Sequence, residues 1–210
     1  MRVLVACEFS GRVRDAFIAM GHDAMSCDLL PTDRPGPHYR GDARDILADG
    51  WDLMVGHPPC TFLCNSGVRW LHSDPARWAD LDKAAEFFLD LWNAPIERVA
   101  LENPVMHGHA RERIGGLRPT QTVQPWMFGD PTTKATGLFL RGLEPLEETN
   151  NVKHVVDALP YSERAKVHYA SPGKDRWKIR SVTPQGIADA MAAQWGDDRQ
   201  MALPFTEAAA

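Results

Sequence analysis

Short apolar runs alternate with helix-like segments along the chain, and this alternation constrains the fold more than any other feature. Runs typical of buried strands are followed by segments in which apolar residues recur at helical spacing. Strands that alternate with helices form parallel sheets with helices packed on the faces. The sequence therefore predicts an α/β fold with a mostly parallel sheet.

The boundaries of these elements follow from the apolar runs and from the capping residues. Strands are expected at Arg2–Cys7, Asp23–Asp28, Leu53–Gly56, Arg98–Glu102, Thr120–Gln124 and Gly137–Leu140, and helices at Gly11–Met20, Ala110–Ile114 and Thr183–Trp195. Asp74 and Pro75 predict the start of another helix that runs to about Asn93. We expect one domain over residues 1–196, with an irregular insert at 141–176 and a flexible tail at 197–210.

Composition limits the class of protein. Four cysteines among 210 residues do not make a disulfide framework, so the reducing cytoplasm is the expected location. No apolar stretch approaches the roughly 20 residues that span a bilayer, so no membrane partner is expected. The net charge of −5 argues against a generally basic DNA-coating protein but permits a local basic cleft.

A cysteine and a glutamate follow two different predicted strands. Cys60 comes after His57, Pro58 and Pro59, and Glu102 ends the strand that begins at Arg98. Each proline fixes φ and lacks an N–H, so the loop is stiff and the thiol is aimed. A thiol and a carboxylate in this relation are typical of covalent catalysis, in which the carboxylate handles protons.

The first predicted strand ends in a tight turn, Phe9-Ser10-Gly11, which leads into a helix. Such a turn lets a nucleotide-like ligand approach the backbone and the helix N-terminus. Asp28 ends the second strand, where a carboxylate suits ribose hydroxyls, and Asp42 offers another acid. In this order the residues favour an adenosine-type cofactor across the strand ends, while a generic α/β turn is the alternative.

At this point the chain resembles the (cytosine-5) DNA methyltransferases, and most closely their small phage-encoded members. The motifs that carry the resemblance are Pro58-Pro59-Cys60 with Leu63-Cys64-x-x-Gly67, then Glu102-Asn103, then Phe128-Gly129-Asp130-Pro131-Thr132-Thr133-Lys134, and finally Arg180-x-x-Thr183. They occur in the family's order and cover most of residues 1–196.

The resemblance implies a Rossmann-like class I fold, S-adenosylmethionine as methyl donor and DNA as substrate. It implies that Cys60 adds to C6 of a pyrimidine while Glu102 engages N3, which makes C5 nucleophilic. The residues expected to bind the cofactor are Phe9, Ser10, Gly11, Asp28, Asp42 and Pro58, and those expected to bind the substrate are Pro59, Arg69, Asn103 and Lys134.

The chain also departs from the family's pattern. Glu8 interrupts the Gly-rich first motif, where it is expected to crowd the cofactor or contact its amino group, and Cys64 stands where the family has serine. Only about forty residues separate Lys134 from Arg180, where the family normally places a sizeable target-recognition domain. That domain is expected to be absent or vestigial, which predicts relaxed sequence specificity.

Other interpretations stay open at this stage. The same chemistry on a free pyrimidine nucleotide, or with another added group, is one. A catalytically degenerate protein that binds DNA or a replication partner is another. Zinc binding by His57, Cys60 and Cys64 is disfavoured because their spacing forms no recognised four-ligand set. His107 and His109 are interpreted as loop residues near Glu102.

The C-terminal tail carries a short peptide of its own. Its key residues are Gln200, Leu203, Pro204 and Phe205, and they resemble the peptides that dock on bacterial sliding clamps. Such peptides must be free to fold onto a partner, which suits a polar tail. A sliding clamp is therefore one expected partner, and an idle tail is the alternative.

Overall fold

A computed structural model describes residues 1–167, 169, 173 and 176–197. Seven strands in this part of the chain form one sheet. They are β1 Arg2–Ala6, β2 Asp23–Asp28, β3 His38–Arg40, β4 Leu53–Gly56, β5 Arg98–Pro104, β6 Gln121–Val123 and β7 Thr136–Arg141.

The strand order across the sheet is β3-β2-β1-β4-β5-β7-β6. The first five strands in this order are parallel, whereas β7 pairs antiparallel with both β5 and β6. The order reverses at β1, which lies between β2 and β4, and ligands of open α/β sheets bind beyond the carboxyl ends at such a point. The predicted Rossmann-like, mostly parallel α/β class is confirmed.

Helices cover both faces of the sheet. Those in the described residues are α1 Arg12–Ala19, α2 Ala76–Trp92, α3 Gly108–Arg113, α4 Lys153–Ala158, α5 Tyr161–Arg164, α6 Arg176–Ser181 and α7 Gln185–Trp195. One apolar core includes residues of α2 and α3, and the other includes residues of α1 and α7. Successive strand residues point to opposite faces, so each core takes alternate side chains of the central strands.

Helix α2 shows how the sequence sets an element and its packing. Leu81, Ala85 and Phe88 recur every three or four residues and are fully or almost fully buried against the sheet. Burial of a side chain such as Phe88 contributes about 2 kcal/mol. The Asp74 carboxylate accepts the N–H of Ala76 at 3.1 Å, which caps the helix start that was predicted from this residue.

Several features differ from the sequence-based expectation, and one of them is the six-residue helix α6, which was not predicted. Strand β3 was not predicted, because it is three residues long and none of its side chains is buried. The segment expected to be irregular contains α4 and α5, which at six and four residues are too short to show an apolar period. His107 and His109 are not in an open loop: His107 caps α3 and His109 lies within it.

The division into one domain with an insert and a tail stays a prediction. The tail peptide that resembles a clamp-docking sequence, Gln200–Phe205, lies outside the described residues. Among the residues the structure describes, none of the helices has the length and apolar character needed to cross a bilayer.

Candidate active site

The cysteine loop begins where β4 ends. The His57 N–H donates to the Ala6 carbonyl at 2.9 Å, which extends the contact between β4 and β1 by one residue. After the two prolines, the Cys60 carbonyl accepts the N–H groups of Leu63 and Cys64, each at 3.0 Å, and closes a tight turn. Cys60 is half-buried at the start of this turn, so its thiol has a fixed position next to the sheet.

Gly67 allows the end of the cysteine loop to pack closely against the backbone of Thr61. A Cβ at this position would lie 2.6 Å from the carbonyl oxygen of Thr61, which is closer than van der Waals contact allows. The loop is also tied to the segment after β5, because the Asn65 N–H donates to the Val105 carbonyl at 2.9 Å. The Cys60 turn and the end of β5 are therefore held together.

The thiols of Cys60 and Cys64 form a hydrogen-bonded pair. The bond to Cys64 and burial raise the pKa of Cys60, while Lys134 opposes the rise. The same bond lowers the pKa of Cys64, whose sulfur also lies 3.0 Å from the Ser66 hydroxyl and takes hydrogen bonds from the backbone at Ser66 and Gly67. These contacts favour the anion on Cys64 over the anion on Cys60.

Glu102, near the end of β5, is the centre of a buried polar cluster. Its Oε2 lies 2.9 Å from Nδ1 of His57 and accepts the hydroxyl of Thr183 at 3.5 Å. Its Oε1 lies 3.7 Å from the Lys134 ammonium. The cluster therefore joins the ends of β4 and β5 to the segments that precede β7 and α7.

The charges of this cluster favour an ionised carboxylate. Burial by itself raises the pKa of Glu102, but the Lys134 charge and the His57 hydrogen bond lower that pKa to about 2. Burial also opposes charge on His57, yet its bond to Glu102 raises the pKa of the imidazole above its ordinary value. The preferred state is a carboxylate held between two cationic side chains.

Two buried side chains near the carboxyl ends of β4 and β5 keep unused hydrogen-bonding atoms. Nε2 of His57 is buried and has no hydrogen-bond partner among the residues the structure describes. The same is true of both amide atoms of Asn103, whose side chain is fully buried. Unpaired buried polar groups are costly, so they are expected where a ligand completes the bonding.

The turn after β1 is built around the Glu8 side chain. The Glu8 carboxylate accepts the Ser10 hydroxyl at 2.9 Å and the Val13 N–H at 2.8 Å, and so caps α1 from inside the fold. The Glu8 side chain thus turns inward to the N–H groups of α1, and its contact with a cofactor stays a prediction. Gly11 has a φ of +70°, a left-handed conformation that favours glycine, and it precedes the first residue of α1.

A cavity of about 280 Å³ opens beside the carboxyl ends of β1 and β2. Asp28 and Asp42 contribute carboxylates to its wall, and Leu29, Phe87 and Pro59 contribute apolar surface. Burial raises the pKa of Asp28, although its Oδ1 accepts the N–H of Leu30 at 2.9 Å. The cavity thus combines an acidic wall with an apolar one.

This chemistry fits S-adenosylmethionine. An adenine ring needs apolar walls such as Phe87 and Leu29, and ribose hydroxyls can donate to a carboxylate such as Asp28. Asp42 is partly engaged, because it accepts hydrogen bonds from the backbone and guanidinium of Arg44. Asp28 is therefore better placed than Asp42 to take the ribose.

The other residues expected to bind the cofactor do not line this cavity. Phe9 packs edge-on against Trp177 with its ring centroid 5.7 Å away, and Ser10 donates to Glu8. Gly11 begins α1, and Pro58 is buried. Pro59, which was expected to bind the substrate, lines the cavity instead.

The remaining residues expected to bind the substrate lie in three places. Lys134 belongs to the Glu102 cluster, and Arg69 is exposed on the 3₁₀ segment Asn65–Leu71. Asn103 follows Glu102 in β5, so its side chain points to the opposite face of the sheet. The Arg69 guanidinium stacks 4.6 Å from the ring centroid of Trp70, which is 48% exposed. An exposed indole under a guanidinium is an aromatic and cationic surface suited to a nucleic acid.

Two residues of the cluster received no such role from the sequence. Thr183 was noted only within the Arg-x-x-Thr motif, and its hydroxyl lies against Glu102. His57 was considered only as a zinc ligand. The available signal was its position directly after the predicted strand and before two prolines, which places it at a strand end. Its bond to Glu102, however, depends on the pairing of β4 with β5. Within the described residues, no group of three or more His, Cys, Asp or Glu side chains is placed to hold a metal ion.

Comparison with known proteins gives structural likenesses. No protein-family model matches the sequence, and a comparison with curated proteins finds no match. The chain resembles the crystal structure of a protein from E. coli described as a candidate DNA modification methyltransferase encoded within a prophage. The TM-score is 0.44 at 18% identity, and the match covers 67% of this chain and 46% of the other. The chain thus spans less than half the length of that protein.

Proposed function

We propose that this chain methylates C5 of cytosine in DNA, with S-adenosylmethionine as methyl donor and Cys60 as nucleophile. One observation carries the proposal: Cys60 and the ionised Glu102 follow neighbouring parallel strands, beside Lys134. Attack at C6 of a pyrimidine needs a nucleophile on one side of the ring and a partner for N3 on the other. The cluster supplies both kinds of group.

The protein's own residues have separate tasks in this reaction. The Cys60 sulfur bonds to C6, and its proton passes to the Cys64 sulfur, which the Ser66 hydroxyl supports. Glu102 engages N3, and Lys134 offsets the buried negative charge. S-adenosylmethionine, when bound, supplies the methyl group that C5 receives. Water then takes the C5 proton, the electrons of that C–H bond form the double bond between C5 and C6, and the bond between C6 and sulfur breaks. The freed Cys60 takes its proton back from Cys64.

A base in duplex DNA must leave the stack before Cys60 can reach it. Unstacking costs a few kcal/mol, and aromatic side chains near the site can offset part of that cost. Trp70 and Arg69 lie on the segment that directly follows the cysteine loop. Their exposure supports a role in holding DNA next to Cys60.

A trapping experiment tests the proposal. DNA that contains 5-fluorocytosine is incubated with the protein and S-adenosylmethionine, and covalent adducts are separated on a denaturing gel. Fluorine blocks the final proton loss, so the wild-type protein is expected to remain attached. Cys60→Ala is expected to form no adduct. Cys64→Ala is the matched control in the same loop, and it is expected to form the adduct because Cys60 is intact.

The outcomes separate the possibilities. An adduct with Cys60→Ala but none with Cys64→Ala would make Cys64 the nucleophile. A folded wild-type protein that forms no adduct with any DNA and leaves no 5-methylcytosine in cellular DNA would refute the proposed function. Bisulfite sequencing of modified DNA tests the relaxed specificity, which a long, strict recognition sequence would contradict.

A second candidate is C5 modification of a free pyrimidine nucleotide. The observation that favours it is the small size of the segment between β7 and α6, where the described residues contain only the helices α4 and α5. Few side chains are then available to read base edges, and base edges carry sequence information. Nucleoside mass spectrometry of DNA and of the free nucleotide pool, from cells that express the protein, distinguishes the two candidates. A change in neither would favour a degenerate binding protein.

Docking on a sliding clamp through Gln200–Phe205 remains a separate proposal. A tether to a clamp on DNA would raise the local concentration of the enzyme to roughly millimolar. Clamp pull-down by the intact chain, but not by a chain that ends at Arg199, is the expected result. Equal retention of the clamp by both chains, or by neither, would contradict it.

A further inference from the structure

We propose that His57 is the proton store of the reaction: its imidazolium delivers a proton through Glu102 to N3 of the pyrimidine as Cys60 attacks C6. This inference rests on the proposed function and assigns His57 a positioning and proton-supplying task at the same site. It acts through Glu102, which is the group that engages the base.

The geometry gives His57 one route for its proton. Nδ1 lies 2.9 Å from Oε2 of Glu102, and the two side chains are 11% and 10% exposed. The His57 backbone is fixed by its N–H bond to Ala6, and Pro58 follows directly, so the ring has little freedom to turn away. Because Nε2 has no partner among the described residues, the Glu102 carboxylate is the one acceptor that the ring contacts there.

Glu102 by itself is a poor source of a proton. Its pKa of about 2 means that, at pH 7, roughly one carboxyl group in 10⁵ carries a proton. Yet a pyrimidine attacked at C6 gains electron density at N3 and becomes a stronger base there. A group that is protonated near neutral pH and touches Glu102 removes this difficulty, and histidine is the side chain suited to it.

The charged groups around His57 support the imidazolium. The Glu102 carboxylate contacts it from β5, and the Glu8 carboxylate acts on it from the turn after β1. Lys134, which precedes β7, opposes the positive charge, and burial opposes it as well. The Thr183 hydroxyl contacts the same oxygen of Glu102 as His57 does, so it supports the carboxylate when the proton is on the ring.

The proton that reaches N3 comes from His57 and returns to it, while the C5 proton leaves to water. The bond between Nδ1 and hydrogen breaks, and Oε2 of Glu102 takes the proton. The carboxyl group then gives that proton to N3, and neutral His57 remains beside an ionised Glu102. When the bond between C6 and sulfur breaks, N3 returns the proton by the same path, and the imidazolium is restored.

The experiment compares two substitutions of one side chain. His57→Asn places an amide N–H close to the position of Nδ1 and keeps a donor to Glu102, but it cannot release a proton. His57→Gln places its amide nearer the position of Nε2. His72→Asn is the control, because His72 is exposed and lies outside the cluster. Circular dichroism and thermal unfolding identify any variant that fails to fold.

The first measurement is single-turnover methylation from pH 5.5 to 9. Both His57 variants are expected to react about 100-fold more slowly than wild type at pH 6.5, which is the usual loss for a missing proton-transfer group. The ratio of wild-type to variant rate is expected to shrink as pH rises, because the imidazolium is lost above its pKa. Cys60 and Cys64 are present in the wild type and in both variants, so their effect on the rate cancels when the wild-type rate is divided by the variant rate.

The second measurement needs no activity. Nitrogen-15 NMR of the histidine rings is expected to show a pKa for His57 above the ordinary value of histidine, and this pKa is expected to fall in Glu102→Gln. The pH at which the rate ratio is halved is expected to match the His57 pKa in the wild-type protein.

Each outcome decides the proposal. If His57→Asn reacts within about threefold of wild type, a hydrogen bond to Glu102 suffices and no proton is stored on His57. A rate ratio that does not depend on pH, or a His57 pKa that Glu102→Gln leaves unchanged, would also overturn it. A wild-type protein that methylates nothing refutes the proposed function, and the inference with it. If the wild type and His57→Asn are both active at similar rates, only the inference is refuted, and the proposed function stands.

Discussion

Two buried charged clusters lie near the carboxyl ends of the strands, and they differ in how fully their atoms are bonded. In the first, Arg14 is fully buried and uses all of its guanidinium nitrogens: Nε and Nη2 donate to Asp15, and Nη1 donates to Ser26 and Thr32. In the second, Lys134 lies 3.7 Å from Glu102, and Nε2 of His57 has no partner among the described residues.

This difference distinguishes the Arg14 cluster, whose atoms are all bonded, from the Glu102 cluster, which we propose to be reactive. A fully bonded buried network gains nothing from a ligand and holds one conformation. A network with unused donors and acceptors costs stability unless a substrate completes it, and perturbed pKa values cluster at such sites. We therefore expect substitutions in the Arg14 cluster to lower stability and substitutions in the Glu102 cluster to lower activity.

The largest effect is expected from Glu102→Gln. Glutamine cannot pass a proton to N3, so the methylation rate should fall roughly 100- to 10,000-fold. Affinity for S-adenosylmethionine, measured by calorimetry, should change little, because Glu102 does not line the cavity next to Asp28. Glu112→Gln, at an exposed site on α3, is the matched control. Loss of cofactor binding in Glu102→Gln would contradict the separation of the two sites.

The next effect concerns folding rather than activity. Arg14→Met removes a buried charge that Asp15 pairs at 2.7 Å, and breaking such a pair costs about 3 kcal/mol of unfolding free energy. Urea denaturation measures the loss. Arg34→Met is a sharp control, because Arg34 contacts the same Asp15 from an exposed position at 3.5 Å and should cost less than about 1 kcal/mol. Equal losses would remove the distinction between the clusters.

A smaller effect is expected in the cavity. Asp28→Asn removes the negative charge proposed to accept the ribose hydroxyls, so affinity for S-adenosylmethionine should fall about tenfold, or about 1.4 kcal/mol. Asp23→Asn lies at the opposite end of the same strand, is largely exposed and should bind the cofactor as wild type does. Unchanged affinity in Asp28→Asn would place the cofactor elsewhere.

The smallest effect is expected from Cys64→Ser. The bond to Cys64 raises the pKa of Cys60, so its removal should lower that pKa and increase alkylation of Cys60 several-fold at pH 7. Mass spectrometry of iodoacetamide-labelled peptides reports the rate at Cys60, and Cys60→Ala identifies the labelled residue. Slower alkylation of Cys60 in Cys64→Ser would show that Cys64 activates its neighbour in the ground state.

Much of the candidate site could be predicted because the sequence predicts an α/β fold with a mostly parallel sheet. Cys60 and Glu102 each follow an apolar run, and parallel strands place their carboxyl ends at one edge of a sheet. The same rule brought Asp28 and Asp42 to one cavity. The inward direction of the Glu8 side chain, which caps α1, could not be predicted because its neighbours in sequence do not reveal it.

The sequence by itself determined the order of strands and helices, the stiff Pro-Pro-Cys loop and the acids at the strand ends, since these depend on local periodicity and backbone restriction. Only the tertiary structure decided which side chains meet. His57 reaches Glu102 across paired strands, and Thr183 reaches it from the start of α7, 81 residues away in the chain. Such contacts depend on strand register and side-chain direction, which nearby residues do not specify.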